Sequence, residues 1–231
     1  MSYMCLSAVL AKSDRTGKEK MEASFWHGKW ERGDIGFHTA QANPLLVQHF
    51  AALKLPPGSR IFLPLCGKTL DMHWLLERGL RISGIDLSEL AVRALFEELG
   101  LTPEVRSTGD LLHFQAEGID LFTGDFFRLS PATLGAVDAV YDRAALVALP
   151  DTMRQAYTQH LRALTQEAPQ LLIAYEYDQS AAGGPPFSVQ ADEVALHYAG
   201  RFNLVLLDRQ PVEGGLKGKL PATEAVWLLT R

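Results

Sequence analysis

The run Arg60-Ile61-Phe62-Leu63-Pro64-Leu65-Cys66-Gly67-Lys68, followed after a helical stretch by Ile82-Ser83-Gly84-Ile85-Asp86, constrains the fold of this chain more than any other feature. It reads as a strand, a glycine-bearing turn, a helix and a second strand that ends in a carboxylate. That order is the front half of a doubly wound α/β site that takes a ribose-bearing ligand at the carboxyl ends of its strands. Asp86 stands where a carboxylate can accept hydrogen bonds from two vicinal ribose hydroxyls. The turn holds Gly67 in place of the full G-x-G-x-x-G spacing, so it allows close backbone approach but gives no pyrophosphate cradle. A cofactor with an adenosine and no phosphate, S-adenosylmethionine above all, suits this set. Taken singly, Gly67 reads as a strand end and Asp86 as the cap of a helix beginning near Ser88; their order and spacing together favour the site.

With 231 residues, 47% hydrophobic and 21% charged, the chain can bury one sizeable core. A net charge of -5 offers no general attraction to nucleic acid phosphates. The two cysteines, Cys5 and Cys66, fit a reducing cytoplasm rather than a disulfide, and the seven histidines show no metal-ligand spacing. No apolar run reaches membrane-spanning length, and the first residues lack the basic flank and cleavage site of a signal peptide. Residues 1–20 end in a polar run without periodicity, so a flexible tail is expected there, followed by a single domain over 21–231.

Past that point helices and strands alternate. Asn43-Pro44 opens a helix over about 44–54. Strand 61–65 precedes a helix over 70–78, and strand 81–86 precedes a helix from Ser88 to about Leu99 that Gly100 stops. Two short strand-like runs, 111–115 and 119–123, suggest a hairpin or a strand with an edge insertion. Strand 137–142, helix 151–164, strand 171–177, helix 191–199 and two closing strands over 203–209 and 224–230 complete the pattern. The last two, joined by a glycine-rich loop, are expected to pair antiparallel. The fold class is therefore α/β and Rossmann-like, with a mostly parallel twisted sheet, helices on both faces and an antiparallel C-terminal strand.

Phe25-Trp26, Trp30, Gly36-Phe37-His38, Pro64-Leu65-Cys66-Gly67-Lys68 with Asp71, and Asp142-Arg143-Ala144-Ala145-Leu146-Val147-Ala148-Leu149-Pro150 together resemble the bacterial type of the thiopurine S-methyltransferase family. The resemblance runs from about Met21 to the C-terminus. It implies methyl transfer from S-adenosylmethionine to the sulfur of a small-molecule thiol acceptor, with selenium or tellurium species as further chalcogen acceptors. It assigns Trp30, Leu65, Asp86 and Arg143 to the cofactor site, with Gly124 and Asp125 beside the adenine. It also implies an aromatic segment closing over cofactor and acceptor, with Phe37 on the acceptor side. Many relatives carry glutamate where this chain has Asp86. Aspartate is one methylene shorter, so the ribose must sit closer or be bridged by water.

Transfer from a sulfonium needs alignment and exclusion of water more than a general base, so no catalytic base is assigned. Arg143 is the candidate for steering an anionic acceptor or holding the cofactor carboxylate; the plainer alternative is an ion pair with Asp142 or Asp138. A nicotinamide-dependent oxidoreductase and a non-catalytic adenosylmethionine-binding module stay open as other readings. The missing glycines count against the first. No membrane or nucleic acid partner is implied, and the resemblance, with no obvious apolar seam, points to a monomer.

Overall fold

The computed structural model describes Phe25, Trp26, residues 28–30, Arg32 and residues 41–231. The chain falls into two units, Met1–Ile35 and Gly36–Arg231. In the first, Phe25 and Trp26 pack edge to face with ring centroids 5.4 Å apart. The Lys29 ammonium lies 5.4 Å from the Phe25 centroid. The tail expected over residues 1–20, and Phe37, lie outside the described residues.

In the second unit, helix α1 (Pro44–His49) begins where Asn43 Oδ1 accepts from the backbone N–H groups of Leu45 and Leu46. A proline at the first helical position costs no hydrogen bond there, and the asparagine oxygen satisfies donors that the helix itself cannot. The helix tightens into a 3-10 turn over Phe50–Leu53. Strand β1 (Arg60–Pro64), helix α2 (Asp71–Glu77), strand β2 (Arg81–Asp86) and helix α3 (Glu89–Glu98) follow. Ser88 Oγ accepts from the Ala91 N–H at 3.3 Å to start α3. Strands β3 (Glu104–Thr108), β4 (Leu111–Ala116) and β5 (Ile119–Thr123) make a meander. Then come α4 (Pro131–Leu134), β6 (Ala139–Arg143), α5 (Asp151–Leu164), β7 (Gln170–Glu176), α6 (Ala191–Tyr198), β8 (Asn203–Pro211) and β9 (Thr223–Thr230).

The strands form one sheet in the order β3-β4-β5-β2-β1-β6-β7-β9-β8. Its centre, β5-β2-β1-β6-β7, is parallel, while β9 runs antiparallel between β7 and β8. The chain winds from β1 through β2 to β5 in one direction and from β6 to β7 in the other, so the order reverses between β1 and β6. In open parallel sheets, ligands bind in the crevice outside the carboxyl ends of the strands at that reversal.

Both faces of the sheet are covered, which explains the apolar run Ile61-Phe62-Leu63 of β1. Ile61 and Leu63 face a core with Leu46 of α1, Met72 and Leu75 of α2 and Leu95 of α3. Phe62 points the other way, into a core with Tyr157 and Leu161 of α5 and Tyr198 of α6. Burying each such side chain stabilises the fold by about 1.5–3 kcal/mol. The helices and strands expected from the sequence are present within a few residues, and the structure adds the four-residue helix α4 and the strand β3. That strand sits at the sheet edge with Glu104, Val105, Arg106 and Ser107 all exposed, so it carries no burial pattern.

Candidate active site

The turn after β1 is laced to the end of β2. Cys66 N–H donates to the Ile85 carbonyl at 3.0 Å. Gly67 N–H donates to Asp86 Oδ2 at 2.7 Å, and Ser88 N–H donates to Asp86 Oδ1 at 2.8 Å. Asp86 is only 8% exposed. It thus braces the turn and the entry to α3. A carboxylate has about four lone-pair positions, so these two backbone donors do not by themselves saturate it.

Leu65 opens the turn at φ +45, a region that side chains rarely adopt and that clusters at ligand sites. Gly84 lets the turn lie close against β2. A Cβ there would stand 3.0 Å from Cys66 Sγ, Leu121 Cδ2 and the Leu63 carbonyl oxygen. Burial, with the Asp86 charge second, pushes the Cys66 thiol well above its ordinary range, so it is a packing group and not a nucleophile.

The end of β5 lies directly beside Asp86. Thr123 is the register partner of Asp86, and Gly124 N–H donates to the Asp86 carbonyl at 3.0 Å. Gly124 sits at φ +132, and a Cβ on it would meet Leu111 Cδ2 at 2.6 Å. Asp125 is exposed, and its Oδ1 accepts from Phe127 N–H at 2.9 Å, which starts a 3-10 turn over Phe126–Arg128. The structure therefore brings Leu65, Asp86, Gly124 and Asp125 to adjoining strand ends. Trp30 is helical and half-buried within the first unit.

Across the reversal, β6 ends in Arg143, followed by Ala144 at φ +64. Strand alternation sends Asp142 and Arg143 to opposite faces. Asp142 is fully buried against α5, accepting from the Tyr157 hydroxyl at 2.7 Å. Asp138 accepts from Arg60 N–H at 2.7 Å. Both carboxylates named as alternative partners of Arg143 are engaged in other structural roles.

Arg143 instead shares its surroundings with Tyr141, Tyr175, Asp71 and Glu224. Burial alone would lower its guanidinium, but these four groups outweigh it and hold the charge above its ordinary range. Asp71 is 1% exposed; its Oδ1 accepts from Asn43 N–H at 2.6 Å and its Oδ2 from the Tyr141 hydroxyl at 2.9 Å. Sequence reasoning quoted Asp71 only as part of a motif and missed Tyr141, Tyr175 and Glu224. The one available signal was the two-residue spacing of Tyr141 and Arg143, which puts both on one face of β6.

The model of the thiopurine S-methyltransferase family matches residues 21–229. The chain belongs to the thiopurine S-methyltransferase family. A thiopurine S-methyltransferase of Xanthobacter autotrophicus is 53% identical over 212 residues, covering 91% of this chain and 100% of that protein. One from Gluconobacter oxydans is 50% identical over 208 residues, covering 90% and 94%.

Among solved structures, the 1,6-didemethyltoxoflavin-N1-methyltransferase of Burkholderia thailandensis, with bound 1,6-didemethyltoxoflavin and S-adenosylhomocysteine, superposes with a TM-score of 0.64 at 18% identity, covering 98% of this chain and 94% of that one. Magnesium protoporphyrin IX methyltransferase from Synechocystis, with bound S-adenosylhomocysteine, gives 0.61 at 15% identity, covering 95% and 100%. At such identities the likeness concerns the fold alone.

Family membership makes this chain an S-methyltransferase that uses S-adenosylmethionine. Its residues fit that cofactor: a nearly buried carboxylate stands at the end of β2, and the single-glycine turn beside it has no pyrophosphate cradle. The nicotinamide-dependent and non-catalytic readings are set aside with it. Among the described residues, no helix is long and apolar enough to cross a membrane, and no cluster of His, Cys, Asp and Glu could hold a metal ion.

Proposed function

We propose that this enzyme methylates the sulfur of thiopurine-like aromatic thiols, with selenium or tellurium species as further soft acceptors. One observation carries the reading: the Asp86 and Gly67 cradle and the half-buried, cationic Arg143 stand at carboxyl strand ends on the two sides of the β1/β6 reversal. S-adenosylmethionine supplies an electrophilic methyl on a sulfonium. Asp86 would hold its ribose hydroxyls, Gly124 and Asp125 would flank the adenine, and Leu65 and Trp30 would contact the cofactor. Phe37 would give the acceptor an apolar wall.

An acidic thiol arrives ionised, its proton already lost to solvent, so the protein has no proton to remove. Arg143 would then hold the thiolate in line with the methyl, where alignment contributes most. The strength of the reading is that an alcohol or amine acceptor would call for a positioned base. A monomer in the cytoplasm belongs to the same proposal, the monomer from the family resemblance and the cytoplasm from the cysteine usage of the chain.

The test is transfer of labelled methyl from S-adenosylmethionine to 6-mercaptopurine, which should be readily measured. Methylation of phenols or amines, with no thiol or selenol turned over, would overturn the acceptor class.

A further inference from the structure

The segment 178–190 leaves the carboxyl end of β7 and returns to the start of α6 as a strap closed on its own base. Val189 N–H donates to the Tyr175 carbonyl at 2.8 Å, Tyr177 N–H to Ser188 Oγ at 3.0 Å, and the Tyr177 hydroxyl to the Pro186 carbonyl at 2.7 Å. Its neighbour is the turn after β6. Phe187 N–H donates at 2.6 Å to the carbonyl of Val147, four residues beyond Arg143. β6 and β7 pair in parallel, so strap and turn both leave from the edge of the sheet where ligands bind. The proposed cofactor cradle, Asp86 with Gly67 and Gly124, stands on the other side of the β1/β6 reversal. Strap and turn therefore border the half of the crevice left to the acceptor.

One side chain fastens the two together. Arg154 of α5 is 3% exposed. Its Nε–H donates to the Leu149 carbonyl of the turn at 2.9 Å, and its Nη1 to the Ser188 carbonyl of the strap at 3.1 Å. The same Nη1 lies 2.7 and 2.6 Å from the two carboxylate oxygens of Glu193 on α6, and His197 Nε2 stands 3.2 Å from Glu193 Oε1. The guanidinium carbon is 5.7 Å from the centre of the Phe187 ring. Turn, strap and α6 thus meet on one planar fork, which the point charge of a lysine cannot reproduce. A buried ion pair adds little net stability over an apolar pair of like size, so fixing position is its better-attested use.

We propose that Arg154 and Glu193 are positioning residues that fix the strap against the turn after β6 and so set the width of the crevice that admits the methyl acceptor. With the fork in place, the Gly183-Gly184-Pro185-Pro186 tip is held in one position. Without it, the bond from Phe187 to Val147 is left to hold the strap to the turn. None of the bonds just given involves Gly67, Asp86 or Gly124, so the clamp acts on the acceptor side and spares the cofactor. The proposal rests on the acceptor reading given above.

The experiment compares wild type with Arg154→Lys, Glu193→Gln and the double variant. Arg154→Lys should raise KM for 6-mercaptopurine about tenfold and Glu193→Gln about threefold, with kcat and S-adenosylhomocysteine affinity little changed. The double variant should be no worse than Arg154→Lys alone, because the two residues act as one unit. The Glu193 side chain is 25% exposed, and glutamine keeps one acceptor for the fork, so Glu193→Gln stays folded and decides the matter if Arg154→Lys does not fold.

A second readout needs no acceptor. In the S-adenosylhomocysteine complex, the Phe187 N–H should exchange with water about tenfold faster in Arg154→Lys and about threefold faster in Glu193→Gln than in wild type. The Val140 N–H of β6, which donates to the Pro169 carbonyl at 2.8 Å, should keep its rate. A wild-type KM, or a wild-type Phe187 exchange rate, in each variant that folds overturns the proposal. So does a loss of S-adenosylhomocysteine affinity or of Val140 protection as large as the acceptor effect, since the pair would then support the fold as a whole. If the wild-type enzyme methylates phenols or amines and no thiol, the acceptor reading fails on that measurement alone. The same comparison, made with the acceptor it does use, then decides the role of Arg154 and Glu193.

Discussion

The carboxylate of Asp86 holds the backbone N–H of Gly67 at 2.7 Å, joining the turn after β1 to the end of β2. The residue expected to bind ribose is thus also the residue that shapes the cofactor turn. Asp86→Ala should weaken S-adenosylhomocysteine binding by about 1–3 kcal/mol, the range for losing charged hydrogen bonds. It should also lower folding stability, since the Gly67 and Ser88 N–H groups both lose their acceptor. Calorimetry and urea denaturation measure the two effects separately. Unchanged affinity in a folded Asp86→Ala protein would remove the ribose assignment.

Gly84 makes the same turn possible from the other side. The three atoms that a Cβ would meet at 3.0 Å include the backbone oxygen of Leu63, which cannot swing away as a side chain can. Gly84→Ala should therefore push β2 away from Cys66 and cost about 1–3 kcal/mol of stability, as overpacking does. Cofactor affinity should fall with it, because Cys66 and Gly67 move together. A variant with unchanged melting temperature and affinity would mean that the turn has slack.

The parts of the fold legible in the sequence are those whose signals are local. Asn43-Pro44 and Ser88 marked helix starts because their side chains cap the backbone groups next to them. β1 was legible because both faces are covered, which leaves the apolar run Ile61-Phe62-Leu63. The exposed β3 left no such trace. Its available signal was the pair Gly109-Asp110 between Thr108 and Leu111, a two-residue hairpin loop with Gly109 at φ +60.

Asp86 could be found because the end of a strand is a position in the sequence. Tyr175 and Glu224 could not, because their meeting with Arg143 depends on β9 inserting beside β7, and strand order across the sheet is set by packing rather than by neighbouring residues.

Ala144, directly after Arg143, carries a side chain at φ +64. A Cβ in this left-handed region costs roughly 1 kcal/mol, which glycine avoids, although glycine also gains freedom in the unfolded chain. Ala144→Gly should leave stability unchanged or raise it by up to about 1 kcal/mol in urea denaturation. The same substitution frees the residue that fixes the exit of β6, so KM for 6-mercaptopurine should rise while S-adenosylhomocysteine affinity holds. A large destabilisation would show that the Ala144 methyl contributes more by packing than its backbone conformation costs.

Asp142 makes the opposite contribution to stability from most carboxylates. It is fully buried, and burial pushes its carboxyl from 3.8 up to about 6, against the Tyr157 hydroxyl and the backbone N–H groups of Leu146 and Ala145, which favour the charged form. Between those two values the folded protein keeps a proton that the unfolded chain has released. The folded state therefore binds more protons than the unfolded one, and this group's contribution falls as pH rises from about 4 to about 6, then levels off. A gap of about two pKa units corresponds to roughly 3 kcal/mol. Other carboxylates titrate in the same range, so the measurement is the difference in unfolding free energy between wild type and Asp142→Asn, taken by denaturant titration at a series of pH values. Wild type should lose about 3 kcal/mol relative to Asp142→Asn across that window, and a difference that stays flat would place the Asp142 carboxyl back at its ordinary value.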